Sequence, residues 1–316
     1  MAIFKDYLEN KSPLILHGAL GTEMESLGYD ISGKLWSAKY LLEKPEVIQK
    51  IHETYVAAGA DLITTSSYQA TLPGLVEAGL TEKAAEQIIA LSVQLAKAAR
   101  DKVWVALDET EKAKRPYPLI SGDVGPYAAY LANGSEYSGD YGQITIEALK
   151  DFHRPRIQIL LNQGVDLLAL ETIPNRLEAQ ALIELLAEEF PEAEAYISFT
   201  VQEPGTISDG TSLDEIAQLV SQSDQILALG INCSSPLLYN QALAILKNAG
   251  KVLITYPNSG EVYDGSTQTW KPKDKDALTL VEHSKDWHAK FGVKILGGCC
   301  RTRPNDIKAL YTEFRT

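Results

Sequence analysis

Short runs of apolar, often β-branched residues recur along the 316-residue chain, and longer stretches with helical periodicity separate them. Such continuously apolar runs are typical of parallel strands whose two faces are both covered by helices. The sequence predicts eight strands, at Leu14–His17, Asp61–Ser66, Pro118–Ser121, Asp166–Glu171, Ala195–Thr200, Gln225–Asn232, Val252–Tyr256 and Lys294–Leu296. The helical patterns lie at Pro45–Ala58, Glu82–Glu111, Ile144–Gln163, Arg176–Phe190, Leu213–Ser221, Leu237–Asn248, Asp276–Phe291 and Asn305–Phe314.

Eight strands that alternate with eight helices in a chain of this length favour a closed (β/α)8 barrel, the TIM barrel. An open doubly wound sheet is the alternative. That fold commonly carries a G-x-G-x-x-G phosphate loop after its first strand, and the Gly-Ala-Leu-Gly at residues 18–21 lacks this spacing. No linker rich in Pro, Gly or Ser interrupts the chain, so we predict a single domain over residues 1–316.

Charge and composition exclude several classes of partner. The formal net charge is −13, which is unsuited to binding nucleic acid or an anionic membrane. No apolar stretch reaches the roughly 18 residues that a membrane span requires, and the N-terminus lacks the apolar run of a signal peptide. Three cysteines, an odd number, fit reduced thiols better than a disulfide framework. We therefore expect a cytosolic protein.

All three cysteines follow predicted strands, Cys233 after the sixth and Cys299 and Cys300 after the eighth. Because a barrel gathers its reactive groups at the C-terminal ends of the strands, we expect the three thiols to meet there. Three thiolates suit zinc and leave its fourth position for water or substrate. Three small buried hydrophobic residues are the alternative interpretation. Successive strand side chains point to opposite faces, so a shared ion requires the chain to bend, and Gly297-Gly298 provide that backbone freedom.

A zinc site with an open position suits a substrate that is itself a thiol. A free thiol has a pKa of about 8.5 and is mostly protonated at neutral pH, whereas coordination removes the proton. Three thiolates already make the site anionic, so a fourth sulfur stays nucleophilic. The pattern therefore points to alkyl transfer onto sulfur.

The chain resembles the homocysteine S-methyltransferase family from about residue 12 to its end. The resemblance lies in segments such as His-Gly-Ala-Leu-Gly-Thr-Glu, Leu-Trp-Ser-Ala-Lys, Ser-Glu-Tyr-Ser-Gly, Phe-His-Arg-Pro-Arg, Gly-Ile-Asn-Cys, Tyr-Pro-Asn-Ser-Gly-Glu and Gly-Gly-Cys-Cys-Arg. It implies a (β/α)8 barrel, zinc held by Cys233, Cys299 and Cys300, and methyl transfer to homocysteine, which yields methionine. No general acid is implied, because a methylsulfonium leaves as a neutral thioether.

Within the family, the chain looks like the short members that use S-methylmethionine, with S-adenosylmethionine as a second methylsulfonium donor. Betaine-using members carry a C-terminal arm for oligomerisation, and cobalamin and folate members are far longer. This chain ends with its eighth helix, so a monomer is the expectation. The resemblance also leaves a second acceptor open, since selenocysteine methyltransferases are very similar.

Several substrate contacts are implied by position. Glu171 matches the family carboxylate that binds the homocysteine ammonium, and Asn232 matches the residue before the first zinc cysteine. Asn232 binds substrate or holds its loop, two roles that the sequence leaves equally open. Trp36 and Tyr68 lie in segments that should line the mouth of the site, where aromatic faces attract a sulfonium cation or simply pack.

The chain departs from the family at two positions. His17 stands where the family usually has the Asp that helps to bind the substrate amino group, and Asp123 stands where a small residue is usual. We expect His17 to line the amino-acid pocket and Asp123 to replace the missing carboxylate. Alternatively, His17 is a fourth zinc ligand, and a closed Cys3His site would make the protein a non-catalytic zinc- or thiol-binding barrel. The remaining candidates, His52, His283 and His288, are expected at the surface.

Overall fold

The computed structural model describes residues 3–33, 35–264, 269–271 and 278–315. Eight parallel strands form one sheet in which strand 1 pairs with strand 8 and strands 2 to 8 pair in sequence order. A bridge between Leu16 and Leu62 joins strands 1 and 2 and closes the sheet into a barrel. The predicted (β/α)8 barrel is confirmed. Barrel strands 1 to 8 are Leu14–Ile15, Leu62–Thr64, Leu119–Val124, Leu167–Ile173, Ala195–Phe199, Ile226–Asn232, Val252–Tyr256 and Ile295–Leu296.

Alternate residues of each strand enter two different apolar clusters. Leu14 and Leu16 point into the barrel interior, whereas Ile15 packs in the larger cluster between the strands and the helices. This alternation is the two-residue period of a strand, here with both faces buried. The helix Ile3–Leu8, which the sequence analysis did not predict, adds Phe4 to the interior cluster.

The helices surround the barrel close to their predicted positions. Pro45–Ala58 and Leu213–Ser221 have the predicted bounds. The long helix after strand 2 ends at Ala106, before the predicted Glu111, because the Asp108 side chain accepts a hydrogen bond from the Glu111 amide and starts a separate turn. The separate turn is Glu109–Lys112, and the other helices in or near predicted ranges are Ile146–Asn162, Arg176–Glu189, Tyr239–Leu246, Leu280–Phe291 and Pro304–Arg315. Four short helices were not predicted: Leu20–Ser26, Lys39–Glu43, Leu72–Glu77 and Tyr127–Leu131.

The first residues of the predicted helix Asp276–Phe291 lie outside the described part of the chain. Its described part, Leu280–Phe291, begins with a capping box between Thr279 and Glu282. A short antiparallel hairpin of Val262–Asp264 and Thr269–Lys271, also not predicted, precedes it. Among the helices that the structure describes, none is long and apolar enough to cross a membrane.

Candidate active site

The three cysteines come together at the C-terminal end of the barrel. Cys233 follows strand 6 directly and adopts a left-handed backbone conformation, with φ of 50°. Strand 8 ends at Leu296, so Cys299 and Cys300 lie in a turn and their side chains are free of the strand's alternation. The sulfur atoms of Cys233 and Cys300 are 3.6 Å apart, and all three sulfur atoms lie within 4.8 Å of one another.

Gly297 and Gly298 allow the chain to reach this turn, but for a reason other than the predicted one. Neither has a positive φ. A Cβ on Gly297 would lie 2.7 Å from the Leu16 Cβ, and a Cβ on Gly298 would lie 2.4 Å from the Thr302 Oγ1. The two glycines are therefore required for close approach to their neighbours rather than for backbone freedom.

The loop after strand 7 holds both cysteine segments by main-chain hydrogen bonds. The Cys299 amide donates to the Pro257 carbonyl at 2.7 Å, and the Ser259 amide donates to the Cys300 carbonyl at 3.0 Å. The Asn258 amide donates to the Ser234 carbonyl beside Cys233 at 3.2 Å. The Tyr-Pro-Asn-Ser segment thus fixes the distance between Cys233 and the turn that contains Cys299 and Cys300.

The cysteines open into a cavity of about 330 Å³ at the same end of the barrel. The cavity contains five of the six predicted substrate residues: His17, Trp36, Tyr68, Asp123 and Glu171. Its lining residues, all within the described part of the chain, include three carboxylates and neither lysine nor arginine. Such a lining favours positively charged ligands.

Glu171 and Asp123 form an acidic pair in this cavity. The Tyr256 hydroxyl donates to the Glu171 carboxylate at 3.2 Å, and burial raises the pKa of Glu171 to about 7. Burial, and then the negative charge of Glu171, raise the pKa of Asp123 well above its usual range. Among the described residues, the Asp123 Oδ1 has no hydrogen-bond partner. A cation placed between the two carboxylates would relieve both the desolvation and the repulsion.

Asn232 is fully buried and does not line the cavity. Its side-chain oxygen accepts from the Thr172 amide at 3.0 Å, and its side-chain nitrogen donates to the Thr172 hydroxyl at 2.8 Å. Thr172 has φ of 63°, a conformation that costs free energy for a β-branched residue. This placement favours the loop-holding role over direct substrate binding, because Asn232 holds the residue that follows Glu171.

His17 lines the cavity, and its Nδ1 donates a hydrogen bond to the Gly18 carbonyl. Burial lowers the pKa of His17 to about 4, so the ring is neutral at neutral pH and its Nε2 is an acceptor. Within the described part of the chain, the metal-competent group consists of the three cysteines and does not include His17. The structure therefore does not form the Cys3His site that the sequence left open.

The prediction that His52 lies at the surface was wrong. His52 is only 2% exposed, on the inner face of the helix Pro45–Ala58, and burial followed by the neighbouring His17 lowers its pKa to about 3. His283 and His288 are partly exposed; His283 stacks on Trp287, and the His288 Nδ1 bonds to the Val293 carbonyl.

Trp36 and Tyr68 meet edge to face in the cavity, with ring centroids 6.4 Å apart. Glycines make room for both rings. A Cβ on Gly21 would lie 2.7 Å from the Trp36 ring, and a Cβ on Gly125 would lie 2.7 Å from the Tyr68 ring. The two aromatic residues thus occupy positions that the chain keeps clear of other side chains.

Trp36 and Tyr68 form an aromatic wall of the cavity. A buried arginine that the sequence analysis did not single out supports this wall. Arg156 donates to the Tyr68 carbonyl at 3.0 Å, to the Gly125 carbonyl, and to the His153 Nδ1 at 3.1 Å. The His153 Nε2 in turn donates to the Glu178 carboxylate at 2.8 Å. Burial lowers the pKa of Arg156 to about 10, so it remains a cation. The signal was present in the Phe-His-Arg-Pro-Arg segment, where two basic residues lie three apart on one helix.

A (β/α)8 barrel with three thiols and an acidic cavity at its C-terminal end defines a barrel enzyme whose site could hold a thiophilic metal ion and small cationic ligands. Comparison with known proteins identifies the family. A family model described as homocysteine S-methyltransferase matches residues 14–314. The chain belongs to the homocysteine S-methyltransferase family, and the resemblance found in the sequence is confirmed.

Individual relatives match over nearly the whole chain. The chain is 46% identical over 305 residues to homocysteine S-methyltransferase YbgG of Bacillus subtilis, covering 96% of this chain and 95% of the relative. It is 40% identical over 311 residues to selenocysteine methyltransferase of Astragalus bisulcatus, covering 94% and 91%. The metallated crystal structure of the homocysteine methyltransferase MmuM from Escherichia coli superposes with a TM-score of 0.86 at 40% identity, covering 98% of this chain and 99% of that chain.

Proposed function

We propose that this homocysteine S-methyltransferase holds zinc with Cys233, Cys299 and Cys300 and takes its methyl group from S-methylmethionine. The observation that carries the proposal is the cavity itself, where a cluster of three thiols faces an acidic pair, Glu171 and Asp123. A ligand with a sulfur at one end and an ammonium at the other, such as homocysteine, matches both groups at once.

The sulfur cluster has the dimensions of a zinc site. Zn–S bonds of about 2.3 Å at tetrahedral angles place sulfur atoms about 3.8 Å apart, and the Cys233–Cys300 separation is 3.6 Å. Because the described metal-competent group has three members, a fourth coordination position would be free for the substrate sulfur. When bound, zinc would favour loss of the proton from the substrate thiol at neutral pH.

The chain's own residues would orient the two substrates. Glu171 and Asp123 would bind the homocysteine ammonium, and the neutral His17 offers its Nε2 as a further acceptor. Trp36 and Tyr68 would present aromatic faces to the sulfonium of the donor. Holding the two sulfur centres in line with the methyl carbon lowers the barrier through orientation alone, by up to about 7–11 kcal/mol in well-aligned systems.

The transfer is a displacement at carbon. The homocysteine thiol first loses its proton to solvent; a lone pair on its sulfur then forms a bond to the methyl carbon. The bond between that carbon and the donor sulfur breaks, and its electron pair stays on the donor sulfur. S-methylmethionine thus leaves as methionine, and homocysteine also becomes methionine. Because the leaving group is neutral, the mechanism requires no general acid from the protein.

Cavity size supports the smaller sulfonium donor. A volume of about 330 Å³ lies near the lower end of the roughly 300–1,000 Å³ found for ligand pockets. S-adenosylmethionine would have to accommodate a nucleoside in addition to its amino acid. We therefore expect S-methylmethionine to outperform S-adenosylmethionine, and betaine and methylfolate to be inert.

One experiment tests the metal and the donor together. Zinc content would be measured beside the rate of homocysteine consumption with each donor, in the wild type and in Cys233→Ser, Cys299→Ser and Cys300→Ser. We expect about one zinc per chain, with most of the zinc and activity lost in each variant and an unchanged circular dichroism spectrum. Full activity in a zinc-free preparation would exclude the metal, and turnover of betaine at the rate of S-methylmethionine would exclude the donor assignment.

Selenocysteine is the second candidate acceptor, because the chain is 40% identical to a protein named selenocysteine methyltransferase. A selenol and a thiol would reach the same sulfur cluster, so the acidic pair does not separate them. Initial rates with equal concentrations of homocysteine and selenocysteine do separate them. A kcat/KM for selenocysteine above that for homocysteine would reassign the acceptor.

A further inference from the structure

The cavity contains a third carboxylate, that of Glu136, which the mechanism so far does not use. Glu136 lies in the Ser-Glu-Tyr segment between Tyr127–Leu131 and Ile146–Asn162. Its main chain is anchored, because the Thr200 hydroxyl donates to the Glu136 carbonyl at 3.0 Å. The preceding Ser135 is buried, and its hydroxyl donates to the Asp140 carbonyl at 3.0 Å. The segment therefore holds the Glu136 side chain at the cavity wall.

The Glu136 carboxylate is partly buried and faces no cation. Among the described residues, no other side chain donates a hydrogen bond to it, and burial raises its pKa. Its negative charge in turn raises the pKa of Tyr68, after the larger effect of burial on that phenol. Glu136 therefore lies close enough to Tyr68 to affect its pKa, and no cationic side chain among the described residues pairs with its carboxylate.

Glu136 is separate from the acidic pair that would receive the homocysteine ammonium. Glu171 shifts the pKa of Asp123, whereas Glu136 is not among the charges that shift the pKa of either residue. Asp123 is buried, whereas Glu136 is partly exposed and its charge acts on Tyr68. One cationic substrate would satisfy Asp123 and Glu171, and a second would satisfy Glu136.

We infer that Glu136 is a specificity-determining residue that binds a positively charged group of the methyl donor, in the cavity that Trp36 and Tyr68 also line. This inference rests on the proposed use of a methylsulfonium donor. S-methylmethionine carries two cations, its sulfonium and its ammonium, and both have the chemistry that a carboxylate recognises. A neutral donor would gain nothing from Glu136.

The test compares Glu136→Gln with the wild type and with Glu203→Gln, a matched control that removes one exposed carboxylate after strand 5 outside the cavity. Homocysteine loss would be followed while each substrate is varied at saturation of the other. We expect Glu136→Gln to raise the KM for S-methylmethionine about tenfold, as for the loss of one partly exposed contact to a charge. The homocysteine KM should stay within about twofold, zinc content should not change, and Glu203→Gln should behave as wild type.

A second donor, dimethylsulfonioacetate, carries a sulfonium but no ammonium and distinguishes the two sources of charge. A similar rise in the KM for both donors assigns the contact to the sulfonium, and a rise confined to S-methylmethionine assigns it to the ammonium. An unchanged KM for both donors, or an equal rise in the homocysteine KM, would overturn the inference while leaving the proposed function intact. A wild-type protein that consumes no homocysteine with any methylsulfonium would overturn both.

Discussion

The sharpest prediction concerns Asp123, the carboxylate that stands where the family usually has a small residue. Its main-chain amide donates to the Thr65 hydroxyl at 2.9 Å, and its carbonyl accepts from the Ser67 hydroxyl at 2.8 Å. Both bonds survive in Asp123→Ser, because they do not involve the side chain. The side-chain Oδ1, in contrast, has no partner among the described residues. The substitution therefore removes a charge with little disturbance of the strand end.

The magnitude follows from what the carboxylate would contact. Loss of a hydrogen bond to a charged group costs about 1.5–3 kcal/mol, which corresponds to about 10- to 150-fold in affinity. Relief of the repulsion between Asp123 and Glu171 acts in the opposite direction, because it makes Glu171 easier to ionise. We therefore expect the homocysteine KM to rise about 10- to 30-fold, near the lower part of that range. The midpoint of thermal unfolding should stay the same or increase, since the substitution removes a buried carboxylate whose Oδ1 has no hydrogen-bond partner among the described residues.

The assay measures homocysteine consumption at saturating S-methylmethionine, with zinc content determined on the same samples. His17→Asp in the Asp123→Ser background returns a carboxylate to the position where the family usually has one. We expect it to recover at least half of the lost binding free energy, whereas His17→Asn, which adds no charge, should not. An unchanged homocysteine KM in Asp123→Ser, or equal effects of His17→Asp and His17→Asn, would refute the hypothesis that Asp123 replaces the carboxylate usual in the family at the position of His17.

Three further predictions follow from buried polar groups. Arg156→Met should lower the free energy of unfolding by about 3–5 kcal/mol in urea, because it takes the buried cation away from the carbonyls that it contacts and from the nearby negative charges of Asp123 and Glu178; Arg156→Lys should be less destabilising, and an equal loss would show that charge is not involved. Asn232→Ala should cost about 2 kcal/mol and reduce kcat/KM, because two hydrogen bonds hold Thr172 in a left-handed conformation. Burial lowers the pKa of His52 to about 3, so below about pH 6.5 the unfolded chain binds more protons than the folded one. The free energy of unfolding therefore decreases as the pH is lowered through this range. His52→Gln should weaken this fall between pH 7 and pH 5 in denaturant titrations; an identical slope would contradict it.

Local chemistry predicted much of the fold. Continuously apolar runs, which are typical of strands covered on both faces, located all eight strands. The observed strands lie within or close to the predicted ranges, as Val252–Tyr256 illustrates. Helix ends were less well predicted where a polar side chain caps a short turn, as Asp108 does. Five short helices, among them Ile3–Leu8, and the hairpin after strand 7 were missed, because segments of three to seven residues have too few turns or alternations to show a period.

The misassignment of His52 shows where single residues escape a pattern. The periodicity of Pro45–Ala58 placed Ile48 and Tyr55 on its buried face, and His52 lies four residues from one and three from the other. The helical spacing therefore contained the answer, and the preference of histidine for the surface outweighed it. Burial follows the face of the helix rather than the polarity of the residue.

The sequence alone determined the barrel, the site's location at the strand ends and the identity of the three cysteines, because each depends on residue type and spacing along the chain. Only the tertiary structure decided that Asn232 holds Thr172, that Arg156 supports the Tyr68 wall, and that Glu136 faces the cavity without a cation. These properties depend on distances between side chains from different strands and loops. The physical reason is that the energy of a charge or a hydrogen bond depends on which groups lie within reach, and the fold determines which groups those are.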